Sequence, residues 1–252
     1  MISVKRLAEL TAIALVPFGC SGAALAQDGT HSPIVVELFT SESCSSCPPA
    51  DALLSQLRQA RSLAGSELIL LSEHVDYWND TGWQDRFSSP AFSERQGAYE
   101  TALRLEGRYT PQFVIDGRID APGNDAARVR QSIQQAAQTP KPAIINISHR
   151  NLDHVQIGVQ NAGSESAQVL LAVTEDDLST AVSRGENGGR TLRNSAVVRV
   201  LHNMGHTANG KFEGSASLDR QDNWQQGKLR LVVLVQRRRD LAIIGAASEA
   251  IQ

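Results

Sequence analysis

Cys44 and Cys47 stand two residues apart in Ser43-Cys44-Ser45-Ser46-Cys47-Pro48-Pro49, directly after an apolar run over residues 34–39 and directly before a helical pattern. A Cys-x-x-Cys at a strand-to-helix junction suits two kinds of chemistry: a dithiol that exchanges with a disulfide, or a pair of soft ligands for copper or zinc. A structural staple is the bland alternative. The chain-entropy relation gives a four-residue loop roughly 2 kcal/mol, against about 3 for a fifteen-residue loop, so a cross-link placed for stability would better join distant segments.

The N-terminus bears on which chemistry is open to the pair. Lys5 and Arg6 followed by a short apolar core and Ala24-Leu25-Ala26 read as a secretory signal over residues 1–26. Pro17 and Gly19 interrupt the run, so it is too short for a spanning helix, and the residues before Cys20 fit a lipid-attachment site poorly. Removal of the signal takes Cys20 with it and leaves Cys44 and Cys47 as the only cysteines of an exported, periplasmic or secreted chain. In that compartment disulfides persist, and the redox state of the pair becomes a chemical variable.

Setting aside Lys5, Arg6 and Glu9 takes the 24 basic and 27 acidic residues to 22 and 26, a net of −4 with His neutral. That balance argues against nucleic acid or an anionic membrane as partner. Arg237-Arg238-Arg239 is the one basic run and reads as a solvated strand edge.

The elements that must position the cysteines follow from periodicity. Residues 34–39 form a continuous apolar strand interrupted by Glu37, the pattern of a strand buried on both faces. Ala50, Leu53, Leu54, Leu57 and Ala60 recur at helical spacing; the residue before a proline is biased away from the helical region, so regular helix is expected only from about Pro49. A second strand over residues 68–72 runs into His74-Val75-Asp76-Tyr77-Trp78, at the carboxyl end where ligands bind in open sheets. A helix begins at Ser89-Pro90, a strand is entered through Thr110-Pro111 and left through Asp116-Gly117, and a helix capped by Asn124 ends before Pro140. From residue 143 the pattern changes to alternation in seven segments. The expectation is an α/β domain over residues 27–140, a linker at Thr139-Pro140-Lys141-Pro142, and an all-β sandwich-like domain over 141–252. Arg184-Gly185-Glu186-Asn187-Gly188-Gly189-Arg190 is too glycine-rich for a strand and reads as a mobile loop; it lacks the strand-to-helix setting of a phosphate cradle.

Residues 36–41 leading into Cys44-Ser45-Ser46-Cys47-Pro48-Pro49-Ala50-Asp51, then His74-Val75-Asp76-Tyr77-Trp78 and Tyr109-Thr110-Pro111-Gln112, resemble the thioredoxin superfamily. More closely they resemble the exported bacterial family known as domain of unknown function family 1223. The resemblance covers essentially the whole mature chain, and it implies a thioredoxin-like first domain with a redox-active Cys44-Cys47 disulfide. Cys44 would be the exposed attacking thiol and Cys47 the resolving thiol, with Pro111 a cis-proline facing them and Thr110 offering backbone to an extended substrate. Glu37 lies close to where thioredoxins place a buried acid that accepts the resolving thiol's proton; its alternative is an exposed strand end or a pairing with an Arg.

The function expected is a thiol-disulfide oxidoreductase acting on protein thiols or disulfides or on small thiols, without a cofactor, with Tyr77 and Trp78 as candidates for lining the substrate groove. The alternative from another class is a copper metallochaperone using Cys44, Cys47 and His74, although copper-delivery members of the superfamily usually space their cysteines by three residues. A third reading makes the second domain a partner-binding module.

Overall fold

Two buried strands meet at the centre of the molecule. The computed structural model describes residues 32–251, so the signal-peptide reading of residues 1–26, Cys20 included, lies outside the described residues. The first half runs β1 (Ile34–Thr40), α1 (Pro48–Ala60), β2 (Ser62–Leu63), β3 (Ser66–His74), α2 (Pro90–Leu103), β4 (Gln112–Ile115), β5 (Ile119–Pro122) and α3 (Ala126–Ala136). Every residue of β1 is buried, as a strand with neighbours on both edges and cover on both faces must be. It lies parallel to β3, with Ile34 opposite Leu68 and Thr40 opposite His74, and antiparallel to β4, with Val36 opposite Ile115. The β4–β5 hairpin pairs Ile115 with Ile119 across Asp116-Gly117-Arg118; Asp116 and Gly117 lie in the left-handed region at φ 50° and 65°, and the Arg118 N–H donates to the Ile115 carbonyl at 3.0 Å.

A side chain at Gly117 would collide with the Leu241 carbonyl oxygen and press on Tyr99. Gly117→Ala combines that clash with a strained φ, and an expected loss of about 3 kcal/mol or more would be read from denaturant unfolding midpoints.

α1 begins one residue earlier than expected. Pro48 and Pro49 occupy its first two positions, and Cys47 is the N-cap with helical angles, φ −78° and ψ −35°. The bias against helix before proline is outweighed here by the disulfide loop that holds Cys47 in place, and proline itself suits the first turn, where its missing N–H has no intrahelical partner to lose. α3 is capped by Asp125, whose carboxylate accepts from the Arg128 N–H at 2.8 Å, rather than by Asn124.

The second half contributes β6 (Ile144–His149), β7 (Val155–Gln160), β8 (Ala167–Glu175), β9 (Leu178–Ala181), β10 (Thr191–Asn194), β11 (Val197–His206), β12 (Phe212–Ala216), β13 (Leu229–Arg237) and β14 (Ile243–Ala250). The seven alternating segments all form strands, and two short ones, β9 and β10, join them.

Sequence periodicity leads to a self-contained sandwich after residue 140, and here the structure differs. The chain is mostly β, and one mixed sheet of nine strands runs β14-β13-β8-β11-β3-β1-β4-β5 with β2 added to β3, crossing the expected boundary. The join is β11 beside β3, where Val197 faces Ser72 in parallel and the Ser72 N–H donates to the Ala196 carbonyl at 2.7 Å. The physical reason is that β3 would otherwise be an unpaired edge carrying apolar residues on both faces. A sheet-on-sheet layer does exist. The three-stranded sheet β12-β7-β6 packs Ile147, Val155, Ile157 and Val159 onto Val169, Leu171, Leu231 and Val233. Its larger partner is the shared sheet. The opposite face of that sheet is a single apolar surface drawn from both halves: Val35, Ile69 and Leu71 with Leu170, Ala172, Val198, Val232 and Leu234, covered by Phe92 of α2.

Candidate functional site

The loop from Ser41 to Cys47 closes on itself before α1. The Cys44 N–H donates to the Ser41 carbonyl and the Cys47 N–H to the Cys44 carbonyl, each at 3.2 Å. Cys44 and Cys47 are joined in a disulfide with Cα atoms 5.4 Å apart. Because Pro48 and Pro49 carry no N–H, and the Ala50 N–H is taken by the Cys47 carbonyl at 2.9 Å, the helix start presents no free amide to a Cys44 thiolate. Hydroxyls take their place. Thr110 Oγ1 lies 3.3 Å from Cys44 Sγ as donor, and Ser46 Oγ lies 3.4 Å from it. Such donors favour the charged form of a thiol.

Thr110 and Pro111 are joined by a cis peptide and brought against the pair. Trp78 Nε1 donates to Thr110 Oγ1 at 2.8 Å, which leaves the Thr110 hydroxyl proton for the sulfur. Pro111 is held by the Gly123 N–H on its carbonyl at 2.8 Å. A Cβ at Gly123 would stand 2.7 Å from Pro111 Cβ and 2.9 Å from Ala50 Cβ, so a glycine is what lets this proline and α1 close together. Tyr77 is 41% exposed beside Trp78, with its hydroxyl on Gln96 Oε1 at 3.0 Å.

Cys44 itself is not exposed. It retains 1% of its surface and Cys47 none, while Ser45 and Ser46 between them are exposed. The second half docks on the backbone of this loop. Asn187, fully buried in the loop between β9 and β10, donates its amide to the carbonyls of Glu42 at 2.9 Å and Cys44 at 3.0 Å. Glu186 accepts from the Ser45 N–H at 3.1 Å. The segment read from sequence as a free loop is therefore anchored on the cysteine loop.

Glu37 is not gathered to the cysteines. It is fully buried, with Oε2 2.6 Å from Arg95 Nε and Oε1 accepting from the Tyr99 hydroxyl at 2.6 Å. Strand alternation turns it toward α2, away from the face that Leu38 presents to α1. The carboxyl that does stand on α1 is Asp51, one turn after Cys47, its N–H on the Cys47 carbonyl at 3.2 Å and its Oδ1 accepting from Thr40 Oγ1 at 2.9 Å. Burial pushes Asp51 up to about 7, opposed by the nearby His74 and the Thr40 hydrogen bond and assisted by Asp85 and Glu42.

His74 completes this buried cluster. Its Nδ1 lies 2.6 Å from Asp85 Oδ2, and that carboxylate also accepts from the N–H of Glu42 at 2.8 Å, while its Oδ1 accepts from Phe87 N–H at 2.9 Å. Burial lowers the imidazole's proton affinity, but Asp85, Asp51 and Glu42 together raise it above its ordinary value. Asp85 is held below its ordinary value, since His74 and the two backbone donors outweigh its burial. His74 Nε2 has no hydrogen-bond partner among the described residues. Among the described residues no group of three or more His, Cys, Asp or Glu side chains is arranged to hold a metal ion. Periodicity missed Asp51, although its place beside Ala50, Leu54 and Leu57 on the apolar side of a helix was a usable signal. Asp85 lies in an irregular segment and gave none, and Asn187 was read only as part of the glycine-rich loop over residues 184–190.

The family model described as "Protein of unknown function (DUF1223)" matches residues 35–236. The chain belongs to this family. The match takes in both the cysteine loop of the DUF1223 chain and the Asn187 segment hydrogen-bonded to it. A crystal structure of a protein from Agrobacterium tumefaciens is similar at 26% identity and TM-score 0.67, over 87% of this chain and 95% of that one. HBP35 of Porphyromonas gingivalis is similar in fold at 14% identity and TM-score 0.63, over 88% of this chain and 76% of that one. No curated protein matches the DUF1223 chain. Among the described residues no helix is long and apolar enough to cross a membrane.

Proposed function

We propose that this DUF1223 protein is an exported thiol-disulfide oxidoreductase whose first half is thioredoxin-like, with Cys44 as attacking and Cys47 as resolving thiol. The observation that carries the reading is the Thr110 hydroxyl, oriented by Trp78, donating to Cys44 Sγ beside the cis-Pro111 bond. A hydroxyl spent on a sulfur adds little to a structural cross-link, whereas it stabilises a thiolate. In the reaction an incoming thiolate attacks Cys44 Sγ, the Cys44–Cys47 bond breaks, and Cys47 departs as a thiolate that takes up a proton. In the reverse direction Asp51, with its pKa near neutrality, accepts that proton as Cys47 attacks the mixed disulfide. The export pattern of residues 1–26 supplies a compartment in which the pair can be oxidised.

Cys47→Ala tests this. It leaves Cys44 able to attack but removes the thiol that resolves, so mixed disulfides on Cys44 are expected to accumulate and to be recovered by mass spectrometry. A wild-type pair that shows no reversible dithiol–disulfide transition in glutathione or dithiothreitol buffers, together with no trapped adduct in the variant, overturns the proposal.

A further inference from the structure

The segment between β9 and β10 has no part in the exchange chemistry above, yet its placement is specific. β9 and β10 pair only with each other, Leu178 opposite Asn194 and Ala181 opposite Thr191, and stand apart from the nine-stranded sheet. A two-stranded ribbon of this length is marginal by itself, so docking must fix where it lies. Its tip is internally tied: Gly189 N–H donates to the Val182 carbonyl at 2.8 Å, Val182 N–H to the Arg190 carbonyl at 2.9 Å, and Gly188 N–H to the Gly185 carbonyl at 3.0 Å. Arg190 Nη1 braces Asn187 Oδ1 at 3.0 Å, which orients the Asn187 amide toward the Glu42 and Cys44 carbonyls. Gly185 fits against Trp83, where a Cβ would stand 3.1 Å from Trp83 Cβ. Trp83 in turn donates from Nε1 to Glu42 Oε2 at 3.1 Å. The tip is thus an internally tied unit that meets the cysteine loop through Asn187 and Glu186 and takes no part in the nine-stranded sheet.

We infer that residues 182–190 are a specificity-determining cover over Cys44, with Asn187 its latch and Glu186 its outer contact, admitting small thiols and excluding folded protein dithiols until it lifts. The inference rests on the redox reading of the pair and names its substrate class. A small dithiol such as dithiothreitol needs only a narrow approach to one sulfur: one of its thiolates attacks Cys44 Sγ and expels Cys47. Its second thiolate then displaces Cys44, leaving cyclic oxidised dithiothreitol and, after proton uptake, two protein thiols. A protein dithiol must bring a whole surface within bonding distance of a sulfur that is 1% exposed. Ser45 and Ser46 stay exposed beside it.

The experiment measures the rate at which dithiothreitol and reduced thioredoxin reduce Cys44–Cys47 in the full chain and in Asn187→Ala, followed by alkylation of the freed thiols. Loss of the two latch hydrogen bonds is expected to raise the thioredoxin rate about tenfold relative to the dithiothreitol rate, with the reduction potential little changed. Glu186→Gln, at an exposed position, weakens the outer contact without emptying a buried site and is expected to move the same ratio by about twofold. It carries the test should Asn187→Ala fail to fold. A reactive pair with the same ratio of rates in wild type and variants overturns the cover alone. A pair that neither reagent reduces in any of the proteins overturns the redox reading and the cover with it.

Discussion

Asp51→Asn is expected to make the protein more stable above neutral pH and slower in thiol exchange. The carboxyl has an ordinary value of 3.8 and is pushed up to about 7 by burial. Below the ordinary value it is protonated in both folded and unfolded chains and contributes no pH dependence. As the pH climbs from there through 7, the folded protein keeps a proton that the unfolded chain has released, so stability falls. About three units at ~1.4 kcal/mol each put the loss on the order of 4 kcal/mol. Asparagine copies the neutral acid and can still accept from Thr40 Oγ1, so the variant should lack this part of the fall in stability with pH. Its melting temperature should match wild type near pH 3.5 and exceed it at pH 8. His74, raised by its acidic neighbours, has the same sign: its contribution is present below its ordinary 6.5 and is lost as pH rises through the higher folded value. The kinetic consequence separates a chemical role from a structural one. If Asp51 accepts the Cys47 proton, exchange in the variant slows on the order of a hundredfold and its rise near pH 7 disappears. An unchanged rate and pH profile would remove Asp51 from the mechanism.

Arg95→Met is expected to cost about 3–5 kcal/mol, a large part of the roughly 5–15 kcal/mol that holds a domain folded. Glu37 and Glu73 are both fully buried, with Arg95 Nε 2.6 Å from one and 3.4 Å from the other. Arg95 also reaches Gln236 of β13 at 3.1 Å and the Tyr99 hydroxyl at 2.9 Å, so one guanidinium ties β1, β3, α2 and the second half. Burial, with Glu37 alongside, already holds Glu73 well above the carboxylate range despite Arg95. Removing the cation leaves Glu37 and Glu73 together in one buried site without the guanidinium that bridges them. Adding Glu37→Gln to Arg95→Met should restore part of the loss, and urea unfolding of the single and double variants measures how much. An Arg95→Met protein as stable as wild type would mean that the cluster is solvated.

Much of the architecture could be read from periodicity. β6, β7 and β12 alternate because one face packs on the large sheet and the other meets solvent, whereas β8, β13 and β1 read as near-continuous apolar runs because both of their faces are covered. Hidden from local patterning was the pairing of β11 with β3, since one register pair between segments more than a hundred residues apart leaves no periodic trace. The cysteine pair stood out by its spacing, and the cis Thr110-Pro111 bond beside it was legible only through the family resemblance. Glu37 was visible as an anomaly in an apolar strand, but alternation and Arg95 decide where it points, and Arg95 sits on α2, whose pattern announces no partner. Asn187 was least legible of all: a polar residue among glycines looks like a loop, and only three-dimensional placement turns it into a buried donor.

Because the sheet crosses residue 140, the Cys-x-x-Cys is not a portable module. A fragment ending there would keep Cys44, Cys47, Thr110 and Pro111, but would lose Asn187, the Asn194 amide that donates to Glu42 Oε1 at 3.1 Å, and the neighbour of β3. Its cysteine loop would lose those hydrogen bonds and its β3 edge would be left unpaired, so the fragment would not report on the whole chain. In this molecule the residues before 140 carry the cysteine loop and those after 140 hold it in place.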